Sequence, residues 1–224
     1  MKRNLIASII FNALIVALTV TGGVMLFTVT WEGRLMAFGF EALKFFTIDS
    51  NLLVGIIACI YLVFDILVLC GKMESIPSWL HILKHTGTVG VALTLLTVAF
   101  FLGPVFAIAD GSIHGYLMMF TSYNLIFHLL TPLCAIISSL FFEREPHLPF
   151  KATFIGVIPM VLYGIYYSVN ALSHAENGMV PPQYDWYSFV RPGVFMAPIS
   201  VLIMTMATYV ISLLLYLGAS GKRQ

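Results

Sequence analysis

Hydroxyl and amide side chains interrupt the second long apolar run of this sequence. The segment "KFFTIDSNLL" at residues 44–53 places Thr47, Ser50 and Asn51 at spacings of three and four residues, so that they share one face of a helix. A hydroxyl group is a weak nucleophile until a base within hydrogen-bond reach accepts its proton. This face could therefore perform acyl transfer if another helix supplies a base.

The fourth apolar run supplies a candidate base. Its polar residues recur at i, i+3, i+7 and i+10, which predicts one polar face formed by Thr121, Asn124, His128 and Thr131. A neutral imidazole in the bilayer must satisfy a donor and an acceptor, and histidine is the side chain most often used for proton transfer near neutral pH. Thr47 or Ser50 could then act as the nucleophile, with His128 as the general base.

The neighbouring polar groups have predicted supporting roles. An amide of Asn51 or Asn124 could donate a hydrogen bond to the oxyanion that acyl transfer produces. Asn124 and Thr131 would orient the imidazole, while Ser50 and Asn51 would complete the polar wall beside the nucleophile. Such side chains also bond across helices merely to hold a bundle together, at about 0.6 kcal/mol per contact, and this interpretation stays open for each Ser or Thr.

A third polar face lies on the fifth apolar run. Its members are spaced at i, i+3, i+4 and i+7, and they are Tyr163, Tyr166, Tyr167 and Asn170. Three polar faces on three helices could line a common cavity. A substrate that reaches such a cavity sideways from the bilayer would be a lipid, so the chemistry predicted is hydrolysis of a fatty-acyl ester.

The helices that position these groups must cross a membrane. Of the 224 residues, 60% are hydrophobic and only 9% are charged, and the mean hydropathy of +0.97 is too high for a water-soluble domain. A crossing helix needs about 20 mostly apolar residues. Six stretches qualify, at about 5–29, 45–70, 81–103, 115–142, 151–170 and 194–217. We predict one domain, an all-α bundle of six transmembrane helices.

The distribution of basic residues predicts the orientation of the bundle. One set of linkers and ends carries eight, namely Lys2, Arg3, Lys72, Lys84, Arg144, Lys151, Lys222 and Arg223. The other set carries three, namely Arg34, Lys44 and Arg191. The positive-inside rule therefore places both termini in the cytoplasm.

Two features of the predicted bundle bear on the site. His128 falls near the centre of its span, whereas Thr47 lies about 10 Å of axial rise from the centre of the second span, so tilt or an earlier helix start would be needed to bring them level. The longest outer linker, 171–193, contains "PPQYDWYSFVRPG". Its aromatic residues are typical of an interfacial belt, or of a lid over a cavity.

The segments "FFTIDSNLL" and "NLIFHLLTP", together with six spans, resemble the androgen-induced protein family and its bacterial relatives of similar size. Two eukaryotic members are hydrolases of fatty acid esters of hydroxy fatty acids that use a membrane-embedded threonine and histidine. The resemblance implies that the threonine corresponds to Thr47, the histidine to His128 and a preceding asparagine to Asn124. The "SNLL" segment is similar to the bacterial branch, which implies a location in the cell membrane.

Other functions remain open at this point. His114 and His128 are 14 residues apart, a spacing suited to two stacked haems, and His81 and His85 could supply partner ligands for a haem-b oxidoreductase. A transporter would be expected to carry paired charges within its spans, and the central parts of the spans hold few. A non-catalytic lipid-binding protein or scaffold is the third alternative.

We expect no metal, cofactor or nucleic acid to bind. The three cysteines, Cys59, Cys70 and Cys134, lack CxxC spacing, and His81 and His85 fit two solvated interfacial imidazoles better than a metal site. A net charge of +1 without a basic block gives no indication of nucleic-acid binding. Asp49 and Asp65, near opposite ends of the second span, are expected to reach an interface or to pair with Lys44 or Arg34.

Overall fold

The fold is that of a computed structural model, which describes residues 2–28, 37–143 and 148–220. Six helices in this part of the chain are long and apolar enough to cross a membrane. They are α1 (Asn4–Thr28), α2 (Phe46–Leu69), α3 (Ser78–Asp110), α4 (Tyr123–Phe142), α5 (Ala152–Ser173) and α6 (Met196–Ala219). Helices satisfy every backbone hydrogen bond internally, as the apolar composition requires in lipid. The predicted all-α bundle of six transmembrane helices is confirmed.

Two spans differ from their predicted limits. Helix α3 continues through Pro104 to Asp110, because a π-helical turn at Val98–Leu102 precedes the proline and accommodates its missing N–H. Helix α4 begins at Tyr123 and not near residue 115. The preceding residues form two short helices, Ile113–Leu117 and Met118–Phe120, before the chain turns into the membrane.

Small residues allow close packing at the centre of the bundle. Helix α1 packs along α2, and a Cβ atom added at Gly55 of α2 would lie 2.5 Å from the Thr19 side chain of α1. Helix α3 contacts α2, α4, α5 and α6, so it is the central helix. Large apolar side chains such as Val20, Leu162 and Met206 are exposed on the outer faces, where lipid would cover them.

The segment between α5 and α6 folds against the bundle and is tied to it by hydrogen bonds. The hydroxyl of Tyr167 donates to the carboxylate of Asp185, which also accepts the Val190 N–H at 3.2 Å. The indole N–H of Trp186 donates to the hydroxyl of Tyr163 at 3.0 Å. This segment therefore covers the end of the bundle at which α2 begins.

Candidate functional site

Thr47 and His128 line the same cavity. It lies where α2 and α4 begin, it has a volume of about 20 Å³, and Asn124, Met119 and Tyr187 also line it. This volume holds about one water molecule. Thr47 is the second residue of α2 and His128 the sixth of α4, so the late start of α4 places His128 near the end of the bundle at which α2 begins.

Hydrogen bonding fixes the orientation and tautomer of His128. The side chain is 5% exposed, and its Nδ1 lies 2.6 Å from the backbone oxygen of Met119. A carbonyl oxygen can only accept, so the Nδ1 atom of the neutral imidazole carries the proton. Nε2 consequently keeps its lone pair, and it forms no hydrogen bond with any described residue. This tautomer is suited to a general base.

A break in the backbone before α4 creates this arrangement. Thr121 is extended and Ser122 has a φ of 52°, a left-handed conformation that is costly for a residue other than glycine. The break turns the Met118–Phe120 segment back toward the π-helical turn Ile126–Leu130 that carries His128. Thr121 therefore does not belong to the polar face of α4; its hydroxyl donates to the Met118 carbonyl at 2.9 Å.

The Thr47 hydroxyl forms no hydrogen bond within the described part of the chain. Its backbone carbonyl, by contrast, accepts bonds from Ser50 Oγ at 3.1 Å and from Asn51 Nδ2 at 2.7 Å. Asn51 Nδ2 also donates to the Phe127 carbonyl of α4 at 3.0 Å. Ser50 and Asn51 do not line the cavity that Thr47 shares with His128, so they do not form the predicted polar wall. Their hydrogen bonds instead brace the first turn of α2.

Of the two candidate oxyanion donors, Asn124 is the one that lines the cavity. Its Nδ2 is buried and has no hydrogen-bond partner among the described residues, whereas both contacts of Asn51 Nδ2 are to backbone carbonyls. Thr131 is fully buried, but it neither lines the cavity nor bonds to His128. The imidazole is oriented by the Met119 carbonyl, which sequence patterns cannot identify because it belongs to the backbone.

Tyr187, in the linker that the sequence predicts to be an interfacial belt or a lid, also lines the cavity. Its hydroxyl accepts the Phe46 N–H at 3.0 Å, and burial raises the pKa of Tyr187 to about 12, so the phenol keeps its proton at neutral pH. A second, mainly apolar cavity of about 40 Å³ lies alongside. Thr47, Leu102 and Tyr187 line both cavities and so stand between them.

The tyrosine face of α5 does not line one common cavity. Tyr163 lines the apolar cavity and donates to the Lys44 carbonyl at 2.6 Å. Tyr166 is half exposed and lines an open groove of about 310 Å³ between α2 and α5. Tyr167 and Asn170 bond to the segment after α5, through Asp185 and the Tyr184 carbonyl respectively.

The histidines that the structure describes do not form a haem site. His114 is exposed on a short helix separated from α4 by the backbone break, so the 14-residue spacing does not lie on one helix. His85 and His128 line different cavities, of about 10 and 20 Å³, and neither could contain a porphyrin. Ser212 Oγ donates to the Thr153 carbonyl and accepts from His85 Nε2, both at 2.9 Å, so His85 cannot activate this hydroxyl.

Two predictions about charged residues are wrong. Asp65 does not reach an interface: it is fully buried and accepts hydrogen bonds from α1. His85 is 3% exposed, so it is not the solvated interfacial imidazole that was predicted, and the neighbouring Lys84 is 2% exposed. Arg34, which was predicted with Lys44 as a partner for Asp49 or Asp65, lies outside the described residues.

No family model, curated protein or solved structure matches this chain. The resemblance to the androgen-induced protein family therefore stays a prediction that rests on the two sequence segments and the six spans. The site must be judged on its own geometry, in which Thr47, Asn124, His128 and Tyr187 meet at one small cavity.

Proposed function

We propose that this protein is an intramembrane hydrolase of lipid esters, with Thr47 as nucleophile and His128 as general base. The observation that supports the proposal is the cavity lined by Thr47, Asn124 and His128, where Nε2 of His128 has a free lone pair. The resemblance to hydrolases of fatty acid esters of hydroxy fatty acids suggests the substrate class. Its bacterial branch suggests the cell membrane as the location.

The proposed reaction has two halves. His128 Nε2 accepts the Thr47 proton as Oγ1 attacks the acyl carbon, and it then protonates the departing alkoxide to release the alcohol. The Asn124 amide and the Tyr187 hydroxyl donate to the oxyanion, and the positive end of the α2 dipole favours the same charge. A water molecule, deprotonated by His128, then attacks the acyl-threonine, and Thr47 leaves with the proton as the fatty acid is released.

The acyl chain is proposed to enter the apolar cavity beside Thr47. Leu93, Met160 and Met204 line this cavity, which at about 40 Å³ is too small for a long chain. Binding thus requires side chains to move, and methionine is well suited to this because its thioether chain is flexible. The site begins near one membrane surface, so the ester group would lie close to the headgroup region while the chain extends into the bundle.

The proposal can be tested with purified protein in lipid nanodiscs. Wild type is incubated with a fluorophosphonate probe and, separately, with a fatty acid ester of a hydroxy fatty acid. We expect Thr47→Ala to lose labelling and hydrolysis, and His128→Ala to reduce hydrolysis by about 10²- to 10⁴-fold, the usual contribution of a general base. Thr47→Ser, which keeps a hydroxyl, should retain both.

Thr86→Ala is the matched control. Thr86 is a buried threonine of α3 whose hydroxyl bonds only to the Ile82 carbonyl, and it does not line the cavity. It should label and hydrolyse like wild type. Equal labelling of wild type, Thr47→Ala and His128→Ala would refute the proposal.

A further inference from the structure

A group of charged and polar side chains is buried at the opposite end of the bundle from Thr47. We call it the charge cluster, and its members are Ser8, Asn12, Asp65, Lys84, Ser138 and Glu143. Asp65 lies 18 residues after Thr47 on α2, which is about 27 Å along the helix axis. The charge cluster is therefore separate from the proposed hydrolytic site.

Hydrogen bonds connect the members of the cluster across four helices or their ends. Lys84 Nζ lies 3.2 Å from Glu143 Oε1, and the two side chains are 2% and 1% exposed. Lys84 also donates to Asn12 Oδ1. The Asn12 amide nitrogen contacts both carboxylates, at 2.6 Å from Glu143 Oε1 and 3.3 Å from Asp65 Oδ2.

In each carboxylate, one oxygen accepts a hydrogen bond from a serine hydroxyl, whereas the other accepts none from the described residues. Ser8 Oγ donates to Asp65 Oδ2, and Ser138 Oγ donates to Glu143 Oε1, both at 2.7 Å. Asp65 Oδ1 and Glu143 Oε2 are buried and have no partner among the described residues. An ionised carboxylate buried with an unsatisfied oxygen is costly.

The charges of the described cluster do not balance. Two carboxylates, Asp65 and Glu143, face one ammonium group, Lys84, so two negative charges minus one positive charge leave one negative charge among these buried side chains. A buried ion pair is tolerated when its charges compensate, but an extra uncompensated charge is not. One more positive charge would neutralise the described part of the cluster.

We propose that the charge cluster is a binding site for one proton, which Asp65 and Glu143 share. The space available favours a proton over a cation that keeps its water ligands, and the described residues form no group of three or more His, Cys, Asp or Glu side chains that could hold a metal ion. The cavity beside Lys84 and Glu143 has a volume of about 10 Å³, which is at the lower limit for one water molecule and too small for a hydrated cation. The carboxylate pair needs only a proton to reach neutrality with Lys84.

Two histidines of α3 connect this site to the membrane surface. His81 is partly exposed, lines the same cavity as Glu143, and lies 3.1 Å from the Tyr61 hydroxyl through Nδ1. His85 lines the cavity as well, and its Nδ1 is buried without a partner among the described residues. A proton taken from water at the surface can pass through His81 and the cavity to Glu143. Among the described residues, α6 and the chain before α5 contribute Ala219 and Leu148 to the cavity, and neither side chain titrates.

Infrared difference spectroscopy of the reconstituted full chain tests the proposal. A protonated carboxyl gives a carbonyl stretch that is distinct from carboxylate bands and shifts in D₂O. We expect this band in wild type at neutral pH. Asp65→Asn and Glu143→Gln each leave one carboxylate opposite Lys84, so the cluster's band should disappear. Lys84→Met leaves two carboxyls without an ammonium, so the cluster's band should double.

Asp49→Asn is the matched control, because Asp49 is a partly buried aspartate on the same helix outside the cluster. Its removal should leave the band that depends on Asp65 and Glu143. A wild type without a protonated carboxyl at neutral pH refutes the proposal, even if the variants fail to fold. A band that persists in both Asp65→Asn and Glu143→Gln also refutes it. Thr47→Ala should not alter the band, so the outcome is independent of the hydrolase proposal.

Discussion

Replacing Gly22 with alanine should disturb the packing that supports His128. A Cβ atom at Gly22 of α1 would lie 2.5 Å from Cζ and 2.6 Å from Cε1 of the Phe127 ring. Phe127 is fully buried within a cluster that includes Leu26 and Tyr123. The ring therefore cannot swing into free space, and it must move by about 1 Å for ordinary van der Waals contact.

The adjacent glycine isolates this steric effect. Gly23 lies on the same helix, and a Cβ atom added there would meet nothing within 4 Å. Both substitutions gain about 0.5–1 kcal/mol of helix propensity. Only Gly22→Ala incurs overpacking, which costs about 1–3 kcal/mol. The difference in free energy of unfolding between the two variants should therefore be about 1–3 kcal/mol, with Gly22→Ala the less stable.

Stability can be measured by unfolding in mixed detergent micelles of increasing SDS content. Tryptophan fluorescence is a suitable signal because Trp186 packs against Tyr163 and Tyr167. Hydrolysis should fall as well in Gly22→Ala, by up to about 100-fold if His128 is displaced by 1 Å. Equal unfolding curves for Gly22→Ala and Gly23→Ala would refute the packing argument.

Three further predictions concern the residues around the cavity. Asn124→Ala should lower hydrolysis by about 10²- to 10³-fold, as loss of an oxyanion donor does, while its unfolding curve stays close to that of wild type; unchanged kinetics would exclude the donor role. Tyr187→Phe should lower hydrolysis less, because Asn124 remains, and should destabilise the fold by about 1–3 kcal/mol since the Phe46 N–H loses its acceptor; thermal unfolding in nanodiscs measures this. Asn51→Leu should destabilise by a similar amount, because the buried Phe127 carbonyl loses its side-chain donor and the Thr47 carbonyl keeps only Ser50 Oγ, and a variant as stable as wild type would contradict that bracing role.

The spans could be predicted from sequence because hydropathy determines which segments enter lipid. The same reasoning predicted that Thr47, Asn124 and His128 lie near one another, since polar groups of a membrane helix usually face the interior of the bundle. It could not predict the break at Thr121 and Ser122, because the residues from 115 to 142 form one apolar run without a glycine at the break. The role of the Met119 carbonyl depends on that break and was therefore hidden too.

The charge cluster was missed for a different reason. Most members of the cluster lie near the end of a helix, where sequence alone favours a polar or charged side chain that reaches water. They are Ser8, Asp65, Lys84 and Glu143. Only the packing of α1 against α2 and α4, with the Lys84 side chain of α3 reaching Asn12, encloses them together. Long-range pairing of this kind, such as Asn12 with Glu143, is not encoded in local spacing.

Unpartnered polar atoms distinguish the two sites from the rest of the described bundle. Eight buried side-chain atoms there have no hydrogen-bond partner, and they belong to Asn51, Asp65, His85, Ser122, Asn124, Thr131, Glu143 and Ser168. Each such atom costs about 1–3 kcal/mol. All but Ser168 lie in the charge cluster or its cavity, or on the turns of α2 and α4 around Thr47 and His128. The open donor of Asn124 and the open acceptors of Asp65 and Glu143 are the atoms that the proposed oxyanion and the proposed proton would use.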